Sequence, residues 1–107
     1  MSDAFHDRED TFEKRFAHDE ALRFRAVARR NKALAFWAAE MKGLSPADAA
    51  KYADDFVGAQ VGRSDDDVAA ALREDLARGD IDLSDHRLQK KMEEAMTEAI
   101  TSVKTGR

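Results

Sequence analysis

Apolar residues recur at helical spacing along the chain, and no segment alternates apolar and polar positions for more than a few residues. The pattern therefore predicts helices and no strands. From Asp10 to Met41 there is neither proline nor glycine, and Ala, Glu, Lys, Arg and Leu dominate. That stretch predicts one long helix, about 48 Å at 1.5 Å per residue. Gly43 stops it, and Ser45-Pro46 followed by Asp48 reads as an N-cap, a proline at N1 and an acid at N3. The second helix is expected from Pro46 to Gln60. Gly62 ends it, and Ser64 opens a third helix whose first turn carries Asp65, Asp66 and Asp67 at its electropositive end. Arg78-Gly79 closes that helix, and Ser84 or Asp82 caps a fourth, from Asp85 to about Val103. The fold class is all-α: a four-helix bundle with a long first helix and a flexible N-terminal extension.

The phase of the first helix divides it. Phe5, Phe12 and Phe16 share a stripe whose next positions are Asp19 and Arg23, so the stripe ends there. A new one runs through Phe24, Val27, Leu34, Trp37, Ala38 and Met41, with Phe24 about 80° around the axis from Phe16. Leu22, Ala26, Ala33 and Phe36 form a further face. Ala33 to Met41 is thus apolar nearly all round, which predicts a helix surrounded by others with Trp37 in the core. Matching stripes lie at Ala49, Tyr52, Ala53 and Phe56, at Val68, Leu72 and Leu76, and at Leu88, Met92, Met96, Ile100 and Val103. Residues 1–20 are expected to be a mobile segment and residues 21–107 the bundle domain. A charged segment with three phenylalanine rings either folds back onto the bundle or anchors a partner.

Composition narrows the function. The chain has 107 residues, enough for one domain, and twenty of its apolar residues are alanine. Charged residues are 37% and mean hydropathy is −0.65, so much of the surface faces water. The net charge of −4 argues against a nucleic-acid partner, because phosphate backbones reward positive charge. No apolar run reaches the roughly 18 residues of a membrane span, and the acidic start lacks a signal-peptide core. These features predict a soluble cytoplasmic protein without direct membrane insertion. The absence of cysteine removes disulfides and thiolate chemistry.

His6-Asp7 and His18-Asp19 lack the i, i+4 partner that a metal site needs, and His86 lies on another element. Asp80-x-Asp82-x-Ser84 opens like a calcium loop, yet Asp85 and Lys91 occupy the positions that require Gly and Glu. There is no nucleophile elbow and no glycine-rich phosphate loop, so no catalytic residue is assigned and the chain reads as a non-enzyme. Charge is the clearest remaining signal. Residues up to Glu20 balance at −4, whereas Ala21 to Ala39 contains no acid. Within it, Arg23, Arg25, Arg29, Arg30 and Lys32 are candidate phosphate contacts. The alternative is a solvated face paired with Asp54, Asp55 and Asp65 to Asp67.

The run Phe5-His-Asp-Arg-Glu-Asp-Thr-Phe-Glu-Lys-Arg-Phe-Ala-His-Asp-Glu, followed by Phe24-Arg-Ala-Val-Ala-Arg-Arg-Asn-Lys and Trp37-Ala-Ala-Glu, resembles the zeta subunit family of alphaproteobacterial F1Fo ATP synthases. The resemblance covers the whole chain and is most specific over residues 5–41. It departs at Ala33-Leu34-Ala35, where the family often has Leu-Leu-Gly. It implies an inhibitor of ATP hydrolysis whose partner is the F1 sector of ATP synthase. In the family an N-terminal helix enters a catalytic α/β interface and stops rotation, while the bundle docks outside. Carried over, the inserted segment holds the rings Phe5, Phe12 and Phe16 and the charges Asp7, Arg8, Glu9, Lys14 and Arg15, with Ala28 to Asn31 at its junction with the bundle. No cofactor is required. The competing readings are a small helical adaptor and a weak adenine-nucleotide module using the basic block near Trp37 or Tyr52.

Overall fold

Residues 19–106 are described by a computed structural model, and they form helices α1 (Glu20–Met41), α2 (Pro46–Ala59), α3 (Asp65–Arg78) and α4 (Asp85–Lys104). Among the described residues there is no strand, and the architecture is an all-α four-helix bundle. Three serine caps sit where the sequence places them. The hydroxyls of Ser45, Ser64 and Ser84 accept from the backbone N–H of Asp48, Asp67 and Arg87 at 3.2, 3.1 and 3.2 Å. Each satisfies a donor that the first turn of a helix leaves open, a contribution of about 0.5–2 kcal/mol.

The start of α1 differs from the continuous helix expected from Asp10. Asp19 is extended (φ −100°, ψ 103°), and its carboxylate accepts from the N–H groups of Ala21 and Leu22 at 3.0 and 3.2 Å. A short acid that can bond forward to the backbone offers an alternative to the helical ladder, and no proline or glycine is needed to mark such a start. Residues 10–18 of the expected helix lie outside the described residues, as does the expected mobile extension. At its other end α1 closes on Gly43 at φ +72°, a left-handed position that glycine adopts without steric cost. Helix α3 closes at Arg78-Gly79 as expected, with Gly79 as the C-cap, and the left-handed residue that follows is Asp80, at φ 60°.

Helix α1 lies between α2 and α4, with α3 packed across the bundle. Its buried face is Ala26, Arg30, Asn31, Leu34, Ala35, Ala38 and Ala39. This is one 3.6-residue stripe, built mainly of alanine, whose small side chain lets neighbouring helices pack against the central one. The large rings lie off it. Phe24 is 59% exposed and Phe36 40% exposed, Ala33 is exposed, and Trp37 and Val27 are half-buried. The all-round burial expected for Ala33 to Met41 is therefore corrected to a single face, with Trp37 at its edge and the Lys91 ammonium 5.6 Å from its ring centre.

The stripes of the other helices hold more closely. Val68, Leu72 and Leu76 are fully buried, joining Leu34, Phe56 and Leu88 in the main core. Tyr52, Met96 and Ile100 are half-buried, and Ala95 and Ala99, absent from the expected stripe of α4, are buried in their place. A smaller cluster of Ala26, Ala99 and Val103, flanked by Leu22 and Ile100, carries α4 along the first turns of α1.

Candidate functional site

The five cations of the basic block do not converge. Arg30 is buried, with NH1 2.6 Å from Asp65 Oδ1 and Nε and NH2 3.1 and 3.0 Å from Asn31 Oδ1. Its charge ties α1 to the first turn of α3. Arg29 is half-buried and donates to the Ser102 hydroxyl on α4. Arg23, Arg25 and Lys32 are exposed. Arg29 and Lys32 border an open groove of about 350 Å³ between α1 and α4, together with Phe36, Glu98 and Ser102. Trp37 and Tyr52, the rings considered for an adenine base, do not line it: Tyr52 stacks on Phe56 at 6.3 Å and has the Lys42 ammonium 4.5 Å from its ring centre.

Tyr52 belongs instead to a polar cluster that joins the end of α1, the middle of α2 and the end of α3. Its hydroxyl donates to Asp75, which also receives Lys42 Nζ at 2.9 Å and Arg78 NH2 at 3.3 Å. Burial and the hydrogen bond to Asp75 push the Tyr52 phenol well above its ordinary value. Burial alone would raise the Asp75 carboxyl. The hydrogen bonds from Tyr52 and Lys42 and the charges of Lys42 and Arg78 together hold it below its ordinary 3.8.

A depressed carboxyl stabilises the fold fully above the unfolded value and ceases to do so as pH falls through the folded one. The contribution of Asp75 is therefore complete at neutral pH and lost below about 3.8. Asp75→Asn is expected to lower the urea midpoint at pH 7 and to shrink the further drop between pH 5 and pH 3. An unchanged drop in the variant would contradict this assignment.

The remaining feature lies where α1 outruns α2. Phe24, Val27 and Asn31 on α1 face Val57, Gln60 and Val61 at the end of α2 across a pocket of about 140 Å³. Val61, like Phe24, is 59% exposed. Gln60 is 5% exposed, and its carboxamide oxygen is buried without a hydrogen-bond donor among the described residues. Phe24 was expected inside the bundle and stands on the wall of this pocket; Gln60 was expected as a helix terminus and is its C-cap. Neither Gln60 nor Val61 carries a sequence signal for a site, because the pocket exists only through the unequal lengths of two packed helices.

Phe5, Asp7, Arg8, Glu9, Phe12, Lys14, Arg15 and Phe16 lie outside the described residues. Among the described residues no three His, Cys, Asp or Glu side chains converge as a metal site would require, and no helix is long and apolar enough to cross a membrane.

The described bundle combines an apolar pocket and surface cations with buried polar groups that tie its helices together. A family model described as ATPase inhibitor subunit zeta matches residues 1–102. The chain belongs to the ATPase inhibitor subunit zeta family. No curated protein and no solved structure matches it.

Proposed function

We propose that this protein inhibits ATP hydrolysis by the F1 sector of a bacterial ATP synthase, its N-terminal segment entering a catalytic α/β interface and blocking rotation. The observation that carries the reading is the extent of the family match. It runs from residue 1 to residue 102, across the segment before Asp19 as well as the bundle. Among the described residues the buried apolar core runs from Ala26 onward. In this reading Phe5, Phe12 and Phe16 bind the partner. Ordering such a segment costs on the order of 1–2 kcal/mol of backbone entropy per residue, and each buried phenylalanine returns about 1.5–3 kcal/mol. Charges such as Arg8 and Lys14 set register more than affinity.

The test is inhibition of the F1 sector by variants of the segment. Phe12→Ala with Phe16→Ala is expected to raise the half-inhibiting concentration at least tenfold, since about 1.4 kcal/mol already gives that factor. Arg8→Ala with Lys14→Ala has a smaller effect that fades at high salt. Half-inhibiting concentrations equal to that of the unaltered chain would count against insertion of the rings.

A second reading, weak binding of an adenine nucleotide, draws on Arg29 and Lys32 beside the half-exposed Phe36. Titration with phosphate or adenine nucleotide, followed by backbone amide shifts, tests it: movement centred on these residues supports it, and their silence dismisses it.

A further inference from the structure

We infer that the pocket between the first turns of α1 and the end of α2 is the seat by which the bundle grips its protein partner. It receives one apolar side chain between Phe24 and Val61, carried on an acidic segment whose N–H donor reaches Gln60. The inference rests on the inhibitory reading above, since it assigns the same partner a second point of attachment.

Four observations point the same way. The pocket is walled by Phe24, Val27, Val57 and Val61, and its volume of about 140 Å³ is near the ~150 Å³ at which an apolar cavity accepts a benzene-sized group. Two of those walls, Phe24 and Val61, remain 59% exposed. Gln60 lines the same pocket, and its buried carboxamide oxygen has no donor among the described residues. Buried acceptors are almost always paired, so an incoming N–H completes what the bundle leaves open. Finally, cations neighbour the pocket residues in the chain. Arg23 and Arg25 flank Phe24 and are exposed, and Arg63 follows Val61 with its nearest carboxylate, Asp67, 4.0 Å away. Of the two acids that precede Arg23 in the chain, Asp19 is engaged in capping α1 and Glu20 is exposed in its first turn. Such neighbours favour an acidic segment over a basic one.

Position supplies the link to the inhibitory segment. Phe24 is five residues beyond Asp19 and eight beyond Phe16. A partner that holds residues 5–16 therefore lies against this end of α1, where α4 covers one flank and α2 stops short on the other. The pocket is on the flank that α2 leaves open.

The experiment measures binding of the full chain to the intact F1 sector on an immobilised surface, alongside the melting temperature of each variant. Val61→Asp and Phe24→Asp alter exposed positions and are expected to keep the melting temperature while weakening binding at least tenfold. Val61→Lys should weaken it less, because the added cation suits an acidic partner. Gln60→Leu is the distinguishing variant: with no acceptor left unpaired it should melt at the same temperature or higher, yet bind several-fold more weakly.

Wild-type binding with all four variants unaltered would overturn the seat while leaving inhibition by the N-terminal segment standing. A wild-type chain that does not bind the F1 sector would overturn both. Sedimentation of the free chain as a dimer that Val61→Asp splits would give the pocket to a second copy. Nuclear Overhauser contacts from Phe12 or Phe16 to Val61 in the free chain would give it to the chain's own segment. Either result overturns the proposal.

Discussion

Removing residues 1–16 is expected to abolish inhibition of the F1 sector and to leave the helical bundle folded. The physical basis is that α1 and its cap begin beyond the deleted segment. Helix α1 begins at Glu20, and its first open N–H groups are satisfied by Asp19, which the deletion keeps. Among the described residues the most N-terminal member of either apolar cluster is Leu22. Circular dichroism and thermal melting of the truncated chain should therefore match those of the full chain closely. Binding should fall without vanishing, because the bundle retains its own contacts. Inhibition should vanish, because two or three ring anchors and their register charges are gone, and hot spots of this kind carry most of an interface's energy. A truncated chain that inhibits as fully as the intact one would place the active surface on the bundle.

Leu34→Ala is expected to destabilise the bundle by about 2–5 kcal/mol, the range for deleting most of a buried leucine and leaving a cavity. Leu34 has no exposed surface and belongs to the main core together with side chains from α2, α3 and α4. Since a domain of this size is stable by about 5–15 kcal/mol in all, that loss brings it near unfolding. Trp37→Ala removes a larger side chain and should nevertheless cost less, because the ring is half-buried and lies under a lysine that can follow it. Phe24→Ala should stay within about 0.5 kcal/mol, as is usual for exposed positions. Urea unfolding of the three variants ranks them directly. A greater loss for Trp37→Ala than for Leu34→Ala would return the tryptophan to the core.

That ranking also marks how far the sequence could be read. Helix boundaries after Met41 were legible because capping chemistry is local: a serine one to three residues ahead of an acid, a glycine after the last apolar position. The stripe of α3 was legible because leucine and valine at i, i+4 and i+8 leave one plausible inner face. Helix α1 was misread for a reason of scale. Its true inner face is alanine with Arg30 and Asn31, residues of weak or opposite hydropathy, while the strongly apolar Phe24, Phe36 and Trp37 draw the eye to the wrong side. Arg30 is buried because Asn31 and Asp65 between them engage its Nε, NH1 and NH2 nitrogens, and no pattern along one helix reveals a partner on another. The pocket beside Gln60 was invisible for the same reason, being set by where α2 ends relative to α1. The resemblance over residues 5–41 was carried by a different signal, side-chain identity in a charged run, and the family match over residues 1–102 agrees with it.

The most direct measurement is the rate of ATP hydrolysis by the cognate F1 sector, purified free of this protein, as the full chain is added back. The account predicts that the rate falls along a saturating curve and levels off once the sites are filled. Restoration of the uninhibited rate when the Phe12→Ala, Phe16→Ala chain replaces the wild type at the same concentration would complete that result. Hydrolysis that stays at its initial rate through a large molar excess of the wild-type chain would contradict the account.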